Sequence, residues 1–145
     1  MVAEANPNAL EHRSFRLPRR LLGEIRRRAD LSGVSQTALV ERYVEEGIRL
    51  DEHPMIAFRN SPLGRRAMLT GTRLDVSQVA DTVRAEGGSV ETAASYLTLG
   101  SHQVRACIQY YAEHQAEVDA YAARVSAEND RLREAHQREQ ALLAG

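Results

Sequence analysis

The sequence predicts a mainly α-helical protein, and three observations carry that expectation. The 145-residue chain is 43% hydrophobic but only 5% aromatic, with no Trp, so its core must be assembled largely from Leu, Val and Ala. Most apolar residues recur at helical rather than alternating spacing. Ser, Gly and Pro punctuate the chain at intervals suited to capping short helices. The length fits one ordinary domain or two very small ones.

Taken in order, residues 1–11 (MVAEANPNALE) are small and polar and read as a flexible tail. His12 to Leu17 (HRSFRL) can form a short strand with Phe15 and Leu17 on one face and Ser14 and Arg16 on the other. Pro18 ends that strand and suits a first helical turn. From Arg19 to Asp30, Leu21, Leu22, Ile25 and Ala29 follow helical spacing, and Gly33 closes the helix. Ser35 then caps a second helix whose apolar side is Leu39, Val40, Tyr43, Val44 and Ile48. Residues 51–70 read as a linker with a short strand around Ile56–Phe58. Gly71-Thr72 turns the chain into a helix from Val76 to Ala85, broken by Gly87-Gly88. Ser89 caps a short helix to Tyr96, and a further helix starts near Ser101. These three helices, within residues 71–115, have helix-turn-helix spacing. The last of them is expected to continue to about residue 140. Val104, Tyr111, Val118, Val125 and Leu132 recur every seven residues, with Ile108, Gln115, Ala122, Asn129 and His136 four after each. That is a coiled-coil-like seam that becomes polar toward its end, and residues 116–145 form a segment for self-association or partner binding.

Charge is distributed unevenly. Formal net charge is −1, yet Arg13 to Leu31 carries seven arginines against Glu24 and Asp30, a local +5. From Glu113 to Gln140 four arginines face seven acids, a local −3. A basic head and an acidic tail suggest two different partners. All 19 basic residues are Arg, which reads as the codon usage of a GC-rich bacterial genome. The single cysteine, Cys107, fits a reducing cytosol. No apolar run approaches membrane-spanning length and the N-terminus lacks a signal-peptide core, so the expected location is the bacterial cytoplasm, at the nucleoid.

A lone six-residue strand cannot satisfy its own edges. It makes sense if two chains each donate one strand to an antiparallel ribbon, above helices that share one core. A two-stranded ribbon fits the major groove of B-DNA, and here its outer face would present His12, Ser14 and Arg16 to base edges. Phosphate contacts would come from Arg19 and Arg20 after the strand. The N-terminus of the second helix, at Ser35, Gln36 and Thr37, adds free amides and a positive dipole end. The triplet Arg26–Arg28 points in several directions and reads as a solvated helix face.

The stretch SFRLPRRLLGEIRRRADLSGVSQTALVERYVEEGI resembles the ribbon-helix-helix family in its strand ending in Leu-Pro, its glycine before the second helix and its Ser cap. The resemblance covers residues 12–50. It implies a homodimer whose ribbon reads double-stranded operator DNA through His12, Ser14 and Arg16, with Ser35 at the phosphate-clamping turn. Gly23 departs from a good helix interior and weakens the first helix by roughly 1 kcal/mol. Further on, RRAMLTGTRLDVSQVADTVRAEGGSVETAASYLTLGSHQVRACIQYYAEH resembles a small bacterial family commonly described as VapB-type antitoxins. The shared features are the Gly71-Thr72-Arg73 turn, the Leu97-Thr98 pair and Tyr110-Tyr111. Where that family usually reads Gly-Arg-Pro, this chain has Arg65-Arg66-Ala67.

Together the resemblances imply the antitoxin of a type II toxin–antitoxin pair, a transcription repressor of its own operon that neutralises a PIN-like ribonuclease toxin. The alternative is a ribbon-helix-helix repressor with no toxin partner. An inhibitor of a nuclease that holds Mg²⁺ with carboxylates gains by offering arginine to that acidic site. The toxin-binding candidates are Tyr111, Val118, Arg124, Val125, Arg131, Leu132, Arg133 and Arg138, although each arginine taken singly reads better as the solvated face of a long helix. A second DNA contact through Ser101, His102, Gln103 and Arg105 is disfavoured by the few positive charges around it. Tyr96, Tyr110 and Tyr111 read as core or interface anchors.

Catalytic signatures are missing from the sequence. There is no phosphate-cradling glycine loop, Ser/His/Asp set, zinc pattern or paired carboxylate constellation. His102, Cys107 and His114 are spaced five and seven residues apart, too far along a helix for a tight chelate, and His53 and His136 stand alone. The expectation is no enzymatic activity, no metal and no cofactor.

Overall fold

A computed structural model describes residues 5–145; the first four residues of the expected tail lie outside it. The described chain is mainly helical with one two-stranded antiparallel sheet. It divides into two compact units, one ending at Val44 and the other spanning Glu45–Gly145.

The first unit holds helix α1 (Arg19–Ser32) and most of helix α2 (Gln36–Glu52), which continues into the second unit. The carbonyl of Pro18 accepts the amides of Leu21 and Leu22 at 3.0 and 3.2 Å, so the proline sits just ahead of the first turn, where its missing N–H costs nothing. Gly33 adopts φ 66° after α1, a left-handed closure that glycine reaches without strain, and the Val34 amide returns to the Ala29 carbonyl. Ser35 caps α2, its Oγ accepting the Ala38 amide at 3.1 Å. Ahead of α1, residues 9–18 carry no helix or strand and every side chain is exposed. The expected strand at 12–17 is therefore not formed within one chain. No other strand among the described residues lies alongside this segment to pair with it.

The second unit opens with a hairpin, β1 (Ile56–Ser61) and β2 (Gly64–Leu69), in register Ile56↔Leu69 through Ser61↔Gly64. The expected linker at 51–70 is thus mostly an ordered ribbon. Its turn, Pro62-Leu63, ends at Gly64 with φ 116°, a conformation side-chain-bearing residues rarely adopt. Ser61 Oγ braces it, donating to the Gly64 carbonyl at 2.9 Å and accepting the Leu63 amide at 3.2 Å. Gly71 then turns the chain, and Thr72 Oγ1 bridges the Leu69 carbonyl and the Leu74 amide at 2.9 and 3.1 Å.

Helix α3 (Val76–Ala85) starts at Asp75, whose amide donates to the Gln78 side chain at 2.8 Å. Gly87 and Gly88 break it, and Ser89 accepts the Thr92 amide to cap α4 (Val90–Leu97). Thr98 closes α4 in a left-handed conformation before α5 (Ser101–Glu113). Ile56 and Leu69 of the hairpin, Val76 and Val79 of α3, Ala93 and Ala94 of α4, and Val104, Cys107 and Tyr110 of α5 make one continuous core.

The long terminal helix expected from about Ser101 to residue 140 is two helices. The backbone leaves the helical region at His114, with φ −126° and ψ 34°, and α6 (Gln115–Leu143) begins after it. The physical reason is burial. In a continuous helix Val118 would stand about 21 Å along the axis from Val104 at 1.5 Å per residue, whereas the break turns Val118 into the same core. Tyr121 is buried beside it, and no side chain after Tyr121 is fully buried. No helix among the described residues is long and apolar enough to cross a membrane.

Candidate functional site

In the first unit only Ala29 and Leu39 are buried among the described residues. Ile25 and Val40 are half-buried, and the remainder of the amphipathic face is bare: Leu21, Leu22, Tyr43 and Val44 are all exposed, Val44 to 58%. Two helices that bury so little cannot offset the entropy of ordering about thirty residues, at about 1–2 kcal/mol each for the backbone alone. The basic residues of this unit differ in how they are engaged. Arg27 and Arg28 pair with Glu24 at 2.6 and 3.8 Å, and Arg13 pairs with Glu11 at 2.6 Å. Arg16, Arg19, Arg20 and Arg26 make no ion pair among the described residues. His12, Ser14, Arg16, Arg19, Arg20, Ser35, Gln36 and Thr37 are all exposed. The amides opening α2 lie at an exposed, Ser-capped terminus, as the spacing predicts.

The toxin-binding candidates divide sharply. Val118 lies in the core and is not a surface residue. Arg124 donates its Nε to the Leu63 carbonyl at 2.8 Å and covers the Tyr121 ring, pinning the hairpin turn to α6. Tyr111 is held between Arg84 and Asp119, donating to the Asp119 carboxylate at 2.8 Å. These three serve the fold. Arg131, Arg133 and Arg138 form exposed pairs with Glu128, Asp130 and Glu134 one turn earlier, the arrangement of a solvated helix. Leu132 is half-exposed and Val125 half-buried. Val125 and Arg133 join Asp75, Gln78, Asp81 and Asn129 in lining a groove of about 270 Å³ between α3 and α6. At the start of α5, Arg105 pairs with Glu91 at 2.9 Å and His102 is exposed. Of the three expected aromatic anchors, Tyr110 is fully buried, Tyr111 partly, and Tyr96 remains exposed.

A second constellation escaped the sequence reading, which set His53 apart. His53 follows α2 directly, its amide donating to the Arg49 carbonyl at 2.7 Å. Its side chain is 7% exposed, and its Nε2 lies 2.9 Å from Glu113 Oε2. The His114 ring stands 5.8 Å from that of His53, and both pack on Tyr110, at 4.5 and 5.2 Å respectively. His114 Nε2 is buried and has no hydrogen-bond partner among the described residues. Beside them Arg49 donates to Tyr110 Oη at 3.1 Å, Glu117 at 2.5 Å and Glu45 at 2.6 Å. Burial opposes the charge on Arg49, but Tyr110, Glu117 and Glu45 outweigh it and hold its pKa above the ordinary value. Burial, with Arg49 nearby, lowers the pKa of His114 below the ordinary imidazole value. Burial also pushes the Tyr110 phenol up to about 12. Sixty residues separate His53 from Glu113, and no local pattern marks the pairing.

No family model matches the chain, and neither a curated protein nor a solved structure matches it.

Proposed function

We propose that the protein is a dimeric DNA-binding antitoxin. In this reading residues 12–50 of two copies form a ribbon-helix-helix domain, and the dimer represses its own operon. Residues 71–115 or the C-terminal segment 116–145 engage a PIN-like ribonuclease toxin. The observation that carries the reading is the bare apolar face of α1 and α2, adjoining a segment that has strand alternation but no partner strand. A second copy supplies both missing elements at once. Two strands pair, and the exposed leucines and valines of two helix pairs close into one core. His12, Ser14 and Arg16 then fall on the ribbon's outer face, where an arginine can pair with guanine O6 and N7. Arg19 and Arg20, with no internal carboxylate, and the amides at Gln36 and Thr37 are left for phosphates.

Repression is then steric. Toxin bound to a dimer changes its effective concentration at neighbouring half-sites and couples repression to the toxin:antitoxin ratio. The exposed end of α6, with Leu132, Arg131, Arg133 and Arg138, is the surface left for the toxin once Val118, Arg124 and Tyr111 are taken up by the fold. That loss of three candidates favours a second reading, a repressor of the same architecture with no toxin.

The deciding experiment is fluorescence anisotropy of the full chain on DNA from upstream of its own gene, across salt, for wild type and Arg16→Ala. Salt-sensitive binding that loses sequence preference in the variant supports the ribbon as reader. Absence of specific binding at low salt refutes it. Expression of the neighbouring gene alone separates the two readings: toxicity relieved by this protein supports the antitoxin, and a harmless neighbour supports the plain repressor.

A further inference from the structure

We infer that His53, Glu113 and His114 form a binding site for one divalent transition-metal cation of the zinc class. The site lies wholly within the Glu45–Gly145 unit and does not depend on the DNA-binding reading.

The first argument is geometric. One ligand atom from each of the three residues can be chosen so that all lie within 4.8 Å of one another. A tetrahedral zinc ion with bonds of about 2.0–2.1 Å holds its ligand atoms roughly 3.4 Å apart. His53 Nε2 and Glu113 Oε2 stand 2.9 Å apart, slightly inside that spacing. That pair must part by about half an ångström to admit an ion, and the Glu113 carboxylate, more than half exposed, can turn to allow it. The imidazoles, by contrast, are fixed. His53 is tied by its backbone to the end of α2 and packed edge-on against Tyr110, with an interplanar angle of 81°.

The second argument is the unexplained buried nitrogen. His114 Nε2 is removed from solvent without a hydrogen bond, a state that costs free energy unless something fills it. An imidazole nitrogen lone pair is the ligand a borderline-soft cation takes.

Charge also favours a cation. Around the cluster stand Glu45, Glu113 and Glu117 against Arg49, whose guanidinium is already bound to two of those carboxylates, while Glu52 and Arg105, which line one cavity with His53, offset each other. The carboxylates and guanidinium groups there sum to −2, which a divalent ion cancels. Two imidazoles with one carboxylate leave a fourth position for water, the ligand set and open coordination typical of zinc rather than of magnesium or calcium.

The test uses the full chain, stripped with a chelator and titrated with Co²⁺ alone, followed by visible absorption, then with Zn²⁺ by calorimetry. The expected result is one ion per chain, ligand-field bands of tetrahedral intensity, and displacement of Co²⁺ by Zn²⁺. Glu113→Ala and His114→Gln each weaken Zn²⁺ binding at least about 100-fold, the upper range for loss of even an outer partner. His136→Gln changes nothing. Glu113 is exposed enough for its replacement to leave the fold intact, which far-UV circular dichroism checks. Absence of ligand-field bands, or a Zn²⁺ affinity that Glu113→Ala leaves unchanged, overturns the site and leaves the cluster a hydrogen-bonded network.

Discussion

If a second copy covers the bare face of α1 and α2, Val44→Ala weakens the dimer by a predictable amount. The substitution removes two carbons, each worth about 0.8 kcal/mol when buried. In the single chain Val44 is 58% exposed, so that fraction of the effect remains to be gained on association, about 0.9 kcal/mol per chain. Both copies carry the change, which makes about 1.9 kcal/mol, or roughly a 25-fold rise in the dimer Kd. The substitution does not weaken the helix itself. Alanine is the better helix former, and losing β-branching adds a few tenths of a kcal/mol to α2. Lower affinity without lower helicity therefore isolates the interface. Sedimentation equilibrium across a dilution series measures the Kd, and far-UV circular dichroism on the same samples measures helicity. Val44→Glu, which places a charge in the contact, should leave no dimer at micromolar concentration. A wild-type chain that stays monomeric at every concentration would refute the reasoning, as would a Val44→Ala Kd within threefold of wild type.

Other consequences are more local. Arg16→Ala should cost about 1–3 kcal/mol of discrimination between operator and scrambled DNA, whereas Arg19→Ala should lower affinity on both alike and flatten the salt slope, by competition anisotropy. Burial pushes the Cys107 thiol up to about 12, so at pH 8 almost none is thiolate in the folded chain. Thiol-reactive dye should label the native protein far more slowly than the denatured one, and labelling should quicken as pH rises toward that value. Gly64→Ala forces a β-carbon into φ 116°, 3.4 Å from the Arg124 guanidinium; a loss of about 1–3 kcal/mol in denaturant unfolding is expected. Arg49→Met leaves Glu117 and the Tyr110 hydroxyl without their donor, so thermal unfolding should fall by the equivalent of about 1–3 kcal/mol.

Local chemistry decided much of this protein in advance. The extents of α1, α3 and α4 were legible because their signals are short-range: a proline before the first turn, glycines at 33, 87 and 88, and serine caps at 35 and 89. Such groups act on backbone three or four residues away, so a single chain suffices to read them. What only the tertiary structure decided involves partners distant in sequence. Strand β2 reads Gly-Arg-Arg-Ala-Met-Leu, without clean alternation, and its register with β1 follows from Ile56 and Leu69 meeting in one core. The heptad run through Val118 continues smoothly past His114, and the helix breaks there because burying Val118 and Tyr121 outweighs uninterrupted hydrogen bonding. Arg124 looked like a free cation until the hairpin turn arrived beneath it from sixty-one residues away. His53 looked solitary for the same reason. The neighbours of a side chain depend on which apolar surfaces close on one another, and that choice belongs to the whole chain, not to any window of it.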